Sequence, residues 1–158
     1  PAGVLSFGAQ THPADGNASI VVTTRENADR LSTDASIPIQ VISYGYAREK
    51  KGYMAAAPVP AARMALEKAN LSMSDIKVIK THNPFVVNDL NFAKKMGIDA
   101  DGFNNYGSSM IYGHPQGSTA TRLIVEGIEE TVMEGGGYFL WTGCAAGDCG
   151  ASLVLKIG

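Results

Sequence analysis

Cysteine is scarce in this chain, with only Cys144 and Cys149 among 158 residues. One pair of thiols cannot form a disulfide framework, and a cysteine-bound zinc would need more ligands than the pair offers. The two could close one small loop, but without an export signal both are expected to stay reduced in the cytosol. No apolar run approaches the roughly 18 residues of a spanning helix, and no charged n-region followed by an apolar h-region opens the chain. Excess charge is lacking too. The formal net charge is −2, which gives no electrostatic case for nucleic acid or an anionic membrane. Low-complexity tracts and a linker to a second domain are likewise missing. What is present, 45% hydrophobic and 18% charged residues, suits one globular domain with a real core. A chain that opens at Pro1 without an initiator methionine is expected to have been cut or processed.

Helical and strand patterns alternate along the chain. Residues 1–13 are weakly periodic and read as a lead-in loop, with His12 a solvated loop histidine. After the turn signal Asp15-Gly16, the β-rich run Ser19 to Thr24 predicts a strand. Thr24 to Leu31 predicts a short helix with Arg25, Glu26 and Arg30 outward, and Ile37 to Tyr46 a strand that tolerates Pro38 near its start. Arg48 to Met54 is a charged connector. Pro60 suits a first helical turn, and Ala61, Met64, Ala65 and Lys68 then share a stripe of a helix that ends at Asn70. Ser72 with Asp75 caps a brief turn before the strand Ile76 to Thr81. Val86 to Met96 is a helix stopped by Gly97, and Gln116 to Glu134 a longer one.

Two stretches carry the chemistry. In the first, Asn104 to Arg122, His114 stands between Gly113 and Pro115, so its imidazole rides on a stiff, narrow turn. Taken alone, Gly-His-Pro is an ordinary turn before a helix. The second stretch, Leu140 to Leu155, is two apolar β-type runs around a glycine-containing turn. It reads as a hairpin whose tip carries Cys144. A third signal lies at the end of the strand Ile76 to Thr81. There His82 to Phe85 (HNPF) stands where α/β sheets hold ligands and catalytic groups.

In this order and spacing, Ala14 to Val22, Ala57 to Phe85, the Gly-His-Pro block and the terminal hairpin resemble the C-terminal half of a thiolase. The thiolase superfamily condenses and cleaves coenzyme A thioesters. The resemblance covers most of the chain, and implies one thiolase-like α/β domain over residues 1–158 with a mixed five-stranded sheet and helices on both faces. It matches His114 to the histidine that activates the nucleophile and donates to the thioester oxygen. Cys144 matches the hairpin cysteine that shuttles a proton at the α-carbon. The nucleophilic cysteine belongs to an N-terminal half absent from this sequence, and Cys149 matches no catalytic cysteine, so it reads as a packed small residue.

Two positions depart from the family pattern. His82-Asn83-Pro84-Phe85 replaces Asn-Glu-Ala-Phe, which sets His82 on the oxyanion-hole asparagine and is similar to the His-Asp-Cys-Phe form of sterol-carrier-protein type thiolases. Cys144-Ala145-Ala146 replaces Cys-x-Gly, and Ala146 keeps the backbone N–H of the second oxyanion hole only if its φ is negative. Donors aimed at a developing enolate are worth about 3 kcal/mol apiece. The resemblance further implies that Thr11, Pro84, Phe85 and Ala146 meet the substrate, and that Thr11 lies on the loop under the pantetheine arm. No metal or cofactor beyond the coenzyme A thioester itself is implied. The implied partners are an acyl-CoA, the N-terminal half on the same or another polypeptide, and further copies in a homo- or hetero-oligomer. A base of this kind is expected to need its thiol pKa lowered from about 8.5 by a nearby imidazolium. The two altered positions keep a second reading open, a non-catalytic thiolase-fold subunit that binds acyl-CoA or supports a partner.

Because the acyl-accepting cysteine is lacking, the purified 158-residue chain is expected neither to cleave a β-ketoacyl-CoA nor to take up an acyl group from an acyl-CoA. Intact-protein mass spectrometry after incubation with acetyl-CoA checks this, and the expected mass shift is zero.

Overall fold

The structure is a computed structural model that describes residues 3–158. The expected lead-in loop over 1–13 therefore has its first two residues outside the described ones. Among the described residues the elements run α1 (Arg25–Leu31), β1 (Ile39–Arg48), α2 (Pro58–Ala69), β2 (Ile76–His82), α3 (Val86–Met96), α4 (Ser109–Tyr112), α5 (Thr119–Met133), β3 (Gly137–Ala145) and β4 (Cys149–Ile157). The strands form one mixed sheet in the order β1-β4-β3-β2. β2 runs parallel to β3, and the other pairings are antiparallel.

The sheet therefore has four strands among the described residues, not the five expected. Ser19 to Thr24 joins no ladder. Its β-branched composition suits a pleated surface, but a strand exists only where a neighbour takes its hydrogen bonds. None does here, and Val21 and Val22 stand 80% and 76% exposed.

Helices do cover both faces. On one, α2 and α3 enclose a core of Val59, Ala62, Ala65, Leu66, Phe92, Phe103, Leu140 and Val154. On the other, α5 covers Val78, Phe139, Leu155 and Ile157 through Ile124. Alternation along each strand divides the side chains between these faces. Small residues set how close the helices lie. A Cβ on Gly45 or Gly150 would strike the backbone of Ala61 or Ala57, and one on Gly127 would enter the Phe139 ring.

Local signals account for most boundaries. α2 begins at Pro58, two residues before the expected proline, with the buried residues Ala61, Ala62, Ala65 and Leu66 on its inner face. Met64 and Lys68, expected on that stripe, lie outside it. Asn70 (φ 55°) and Gly97 (φ 72°) end α2 and α3 in left-handed conformations. Ser72 and Asp75 make the expected capping box. β1 runs two residues past its expected end, α5 starts at Thr119 after a Pro115–Ser118 turn, and the four-residue α4 was not foreseen.

A charge pair fastens α5 to the sheet. Lys80 Nζ on β2 and Glu130 Oε2 on α5 are 2.5 Å apart, with the Lys80 side chain wholly buried. The Tyr106 ring lies 4.3 Å from the ammonium, and Asn105 donates to Glu130 Oε1 at 2.6 Å. Removing one member of such a pair strands the other charge in the interior. Glu130→Ala is expected to lower stability by about 3–5 kcal/mol. The double variant Lys80→Met with Glu130→Leu is expected to recover most of that loss. Urea unfolding of the wild type and the variants provides the measurement.

Candidate functional site

The parallel register of β2 and β3 builds the centre of the site. His82, the last residue of β2, pairs with Gly143, the residue before Cys144. Strand alternation then sends Cys144 to the α2 and α3 side, opposite the face on which His82 lies. Because both strands end at the same edge, both residues still reach one cavity of about 380 Å³. His114, Thr119, Trp141, Tyr46 and Ala146 also line it.

Each histidine is held by a neighbour. His114 enters on the Gly-His-Pro turn, where its N–H donates to the His12 carbonyl at 2.8 Å. Gly113 has φ 81°, and a Cβ there would come within 2.7 Å of the Ala14 methyl and 3.1 Å of His12 Nε2. Glycine is required at that position on both counts. His114 Nδ1 is 2.7 Å from Thr119 Oγ1, whose hydroxyl donates to the Pro115 carbonyl at 2.9 Å. The hydroxyl has one proton and has used it, so it accepts from Nδ1–H. This network assigns the neutral ring a bare Nε2. His82 Nδ1 meets Ser109 Oγ at 3.0 Å, and the Thr11 hydroxyl donates to the Ser109 carbonyl.

The two imidazole centroids are 4.2 Å apart at 33°. Burial, then the charges of His114 and Arg122, lower the His82 pKa to about 4. Burial also holds His114 below its ordinary value. Cys144 is shifted the other way: burial pushes its thiol up, and a hydrogen bond from Asn88 only partly opposes that. The expected thiol activated by an imidazolium is thus corrected. Burial pushes both histidines toward the neutral ring, so neither supplies a cation that would lower the thiol pKa.

Ala146 lines the shared cavity with an unstrained backbone. The left-handed residues of the hairpin turn are Gly147 (φ 85°) and Asp148 (φ 61°), so alanine is accommodated. Thr11 lines an adjoining, more open cavity of about 550 Å³ together with His12, Pro13 and Ala14, and His114 and Gln116 form the wall between the two. Pro84 and Phe85 line neither. They stand behind the lead-in loop, where the Pro84 carbonyl accepts from Thr11 N–H at 2.8 Å and Phe85 bridges to Gln10. Cys149 is half-buried and accepts a hydrogen bond from the Tyr46 hydroxyl at 2.9 Å. Sequence reasoning missed Ser109, Thr119, Gln116 and Asn88. Only Thr119 had a signal, its position five residues past His114 at the entry to a helix.

Below the site, Asp89 accepts from Thr81 Oγ1 at 2.5 Å and from the Asn83 and Asn104 side-chain amides. Burial raises its pKa despite these three donors. Among the described residues no group of three or more His, Cys, Asp or Glu is arranged to hold a metal ion.

The His82 shift links to stability. An unfolded histidine titrates near 6.5, so between that pH and about 4 the unfolded chain binds the proton and the folded chain does not. Stability is expected to fall as pH drops through this window, by about 3 kcal/mol from His82. Denaturant titrations of the wild type and His82→Asn across pH 7 to about 4 check this, and the variant is expected to lose that component of the slope.

Comparison with known proteins adds the lineage. The family model for the thiolase C-terminal domain matches residues 36–157. The 3-ketoacyl-CoA thiolase of Aliivibrio fischeri strain MJ11 is 31% identical over 98% of this chain, and the beta-ketothiolase BktB of Cupriavidus necator 30% identical over 98%. The chain spans 39% of the length of either relative. Among solved structures, the Bacillus anthracis acetyl-CoA acetyltransferase superposes with a TM-score of 0.77 at 26% identity, over 85% of this chain and 34% of that one. Human mitochondrial 3-ketoacyl-CoA thiolase in complex with CoA gives 0.73 at 25% identity, over 76% and 30%. With the fold, the order of motifs and the family match in agreement, this chain belongs to the thiolase family, as its C-terminal domain.

Proposed function

We propose that the chain is the C-terminal half of an acyl-CoA acyltransferase that cleaves or forms a β-ketoacyl-CoA by Claisen chemistry. The observation that carries this reading is the meeting of His82, His114, Cys144 and Ala146 in one cavity at the ends of β2 and β3. The lead-in is taken with the domain, because His114 N–H and Thr11 N–H both bond across to it or from it.

In the cleaving direction, a cysteine of the N-terminal half attacks the β-keto carbon and gives its proton to the bare Nε2 of His114. The carbon–carbon bond breaks, and its electron pair passes to the α-carbon as the enolate of an acyl-CoA. Cys144 delivers its proton to that carbon, for which a thiol with a raised pKa is the suitable resting form. The resulting thiolate takes the proton of the incoming CoA thiol, whose sulfur attacks the acyl-cysteine and releases the second acyl-CoA, while the departing cysteine thiolate takes its proton back from His114. His82 and the Ala146 N–H donate to the thioester oxygens as charge builds. Thr11 meets the pantetheine arm in the outer cavity, and Pro84 and Phe85 act from behind by holding the Thr11 loop.

The nucleophile comes from an N-terminal half, on this polypeptide or another, in an oligomeric enzyme of the cytosol. The length of the relatives supports the missing half, as does the outer surface of α5, where Val125 and Met133 are 41% and 74% exposed. No helix of the described residues is long and apolar enough to cross a membrane, and neither a membrane nor nucleic acid enters the proposal.

In the complete enzyme, Cys144→Ala is expected to leave acylation of the nucleophile intact and to abolish exchange of acyl-CoA α-protons into deuterated water. His114→Ala is expected to slow both. Loss of one donor or base of this kind typically costs on the order of a hundredfold or more in rate. Undiminished exchange in Cys144→Ala would show that the base lies elsewhere.

A further inference from the structure

Asn88, in the first turn of α3, is 2% exposed and belongs to none of the motifs above. Its Oδ1 accepts from Phe85 N–H at 3.2 Å, which settles which end of the amide is oxygen. The NH2 end is thereby turned toward Cys144, and Nδ2 lies 3.3 Å from the sulfur. The frame behind this donor is fixed at several points, since Phe85 bridges to Gln10 and the Pro84 carbonyl takes Thr11 N–H. Tyr46, His82 and His114 are the titratable groups that share the cavity with Cys144, and a neutral histidine brings no charge to the sulfur.

We propose that Asn88 is the positioning residue for Cys144: its amide holds the sulfur at the cavity and donates to the thiolate present between the two proton transfers. The catalytic part of this role rests on the function proposed above, whereas the contact and its effect on the thiol do not. The direction in which the Asn88 bond moves the thiol, downward against burial, agrees with the geometry.

The test is site-resolved alkylation of the full chain with iodoacetamide, read by peptide mass spectrometry across pH 7 to about 10, where thiolate fraction sets the rate. Asn88→Asp keeps the acceptor for Phe85 N–H and replaces the donor with a carboxylate oxygen. Its Cys144 is expected to alkylate about tenfold more slowly at neutral to mildly alkaline pH, with the profile moved upward by about one unit. Asn88→Ala, which removes the donor and adds no charge, is expected to fall between that variant and the wild type. It carries the test alone if Asn88→Asp does not fold. Cys149, on the opposite strand face, is the internal control and is expected to keep its rate. A wild-type profile for Cys144 in the folded variants, or an equal slowing of Cys149, would overturn the proposal. Alkylation needs no substrate, so failure of the α-proton exchange test and failure of this one are separate results.

Discussion

Lys80 and Glu130 meet with almost no water around them, and the elements they join are those that carry the site. Lys80 lies on β2 two residues before His82, and Glu130 lies on the helix that follows His114. A buried charge cannot leave its partner without a penalty of several kcal/mol, so α5 has one height along β2. The imidazole stack at 4.2 Å depends on that height. The pairing of His82 with Gly143 then fixes Cys144 relative to the stack. One ion pair and one strand register thus bring together three side chains from distant parts of the sequence, and Thr119 and Ser109 set the two rings within that frame.

Partial burial of the site bears on their charge as well. Burial disfavours every ion in the site, so His82 and His114 are pushed toward neutral rings and Cys144 toward the thiol. A site that rests without charge does not compete with an incoming anionic intermediate. On the proposed reading, the charges that develop are those of the reaction itself, on His114 and then on the enolate, and the two rings that meet them have been oriented beforehand by Thr119 and Ser109.

Much of this was legible in the sequence because it is local. Gly97 and Asn70 ended helices as left-handed caps should, Ser72 with Asp75 closed a capping box, and the hairpin turn revealed itself through its glycine. The three residues assigned to chemistry were read from short motifs and meet in one cavity. Tertiary facts were harder to see. Ser19 to Thr24 has the composition of a strand, but composition does not supply a partner. Lys80 sits in the strand-like run Ile76 to Thr81, and only the fold reveals Glu130 against it. Asn88 gave no signal, because its role depends on a sulfur 56 residues away. The upward shift of the Cys144 thiol was misjudged for a related reason: motif reasoning supplied the neighbours without the burial.

β1 is a ten-residue strand at the margin of the sheet, and its outer side has no ladder among the described residues. The β-rich run Ser19 to Thr24 lies uncovered and unpaired. An open margin and an exposed β-forming run on one molecule are complementary to those of the next. Joining them is a two-molecule event, whereas completing the sheet within a molecule is a one-molecule event. Pairing between molecules therefore gains on folding within one molecule as chain concentration rises, and dilution during folding is expected to favour the properly folded domain.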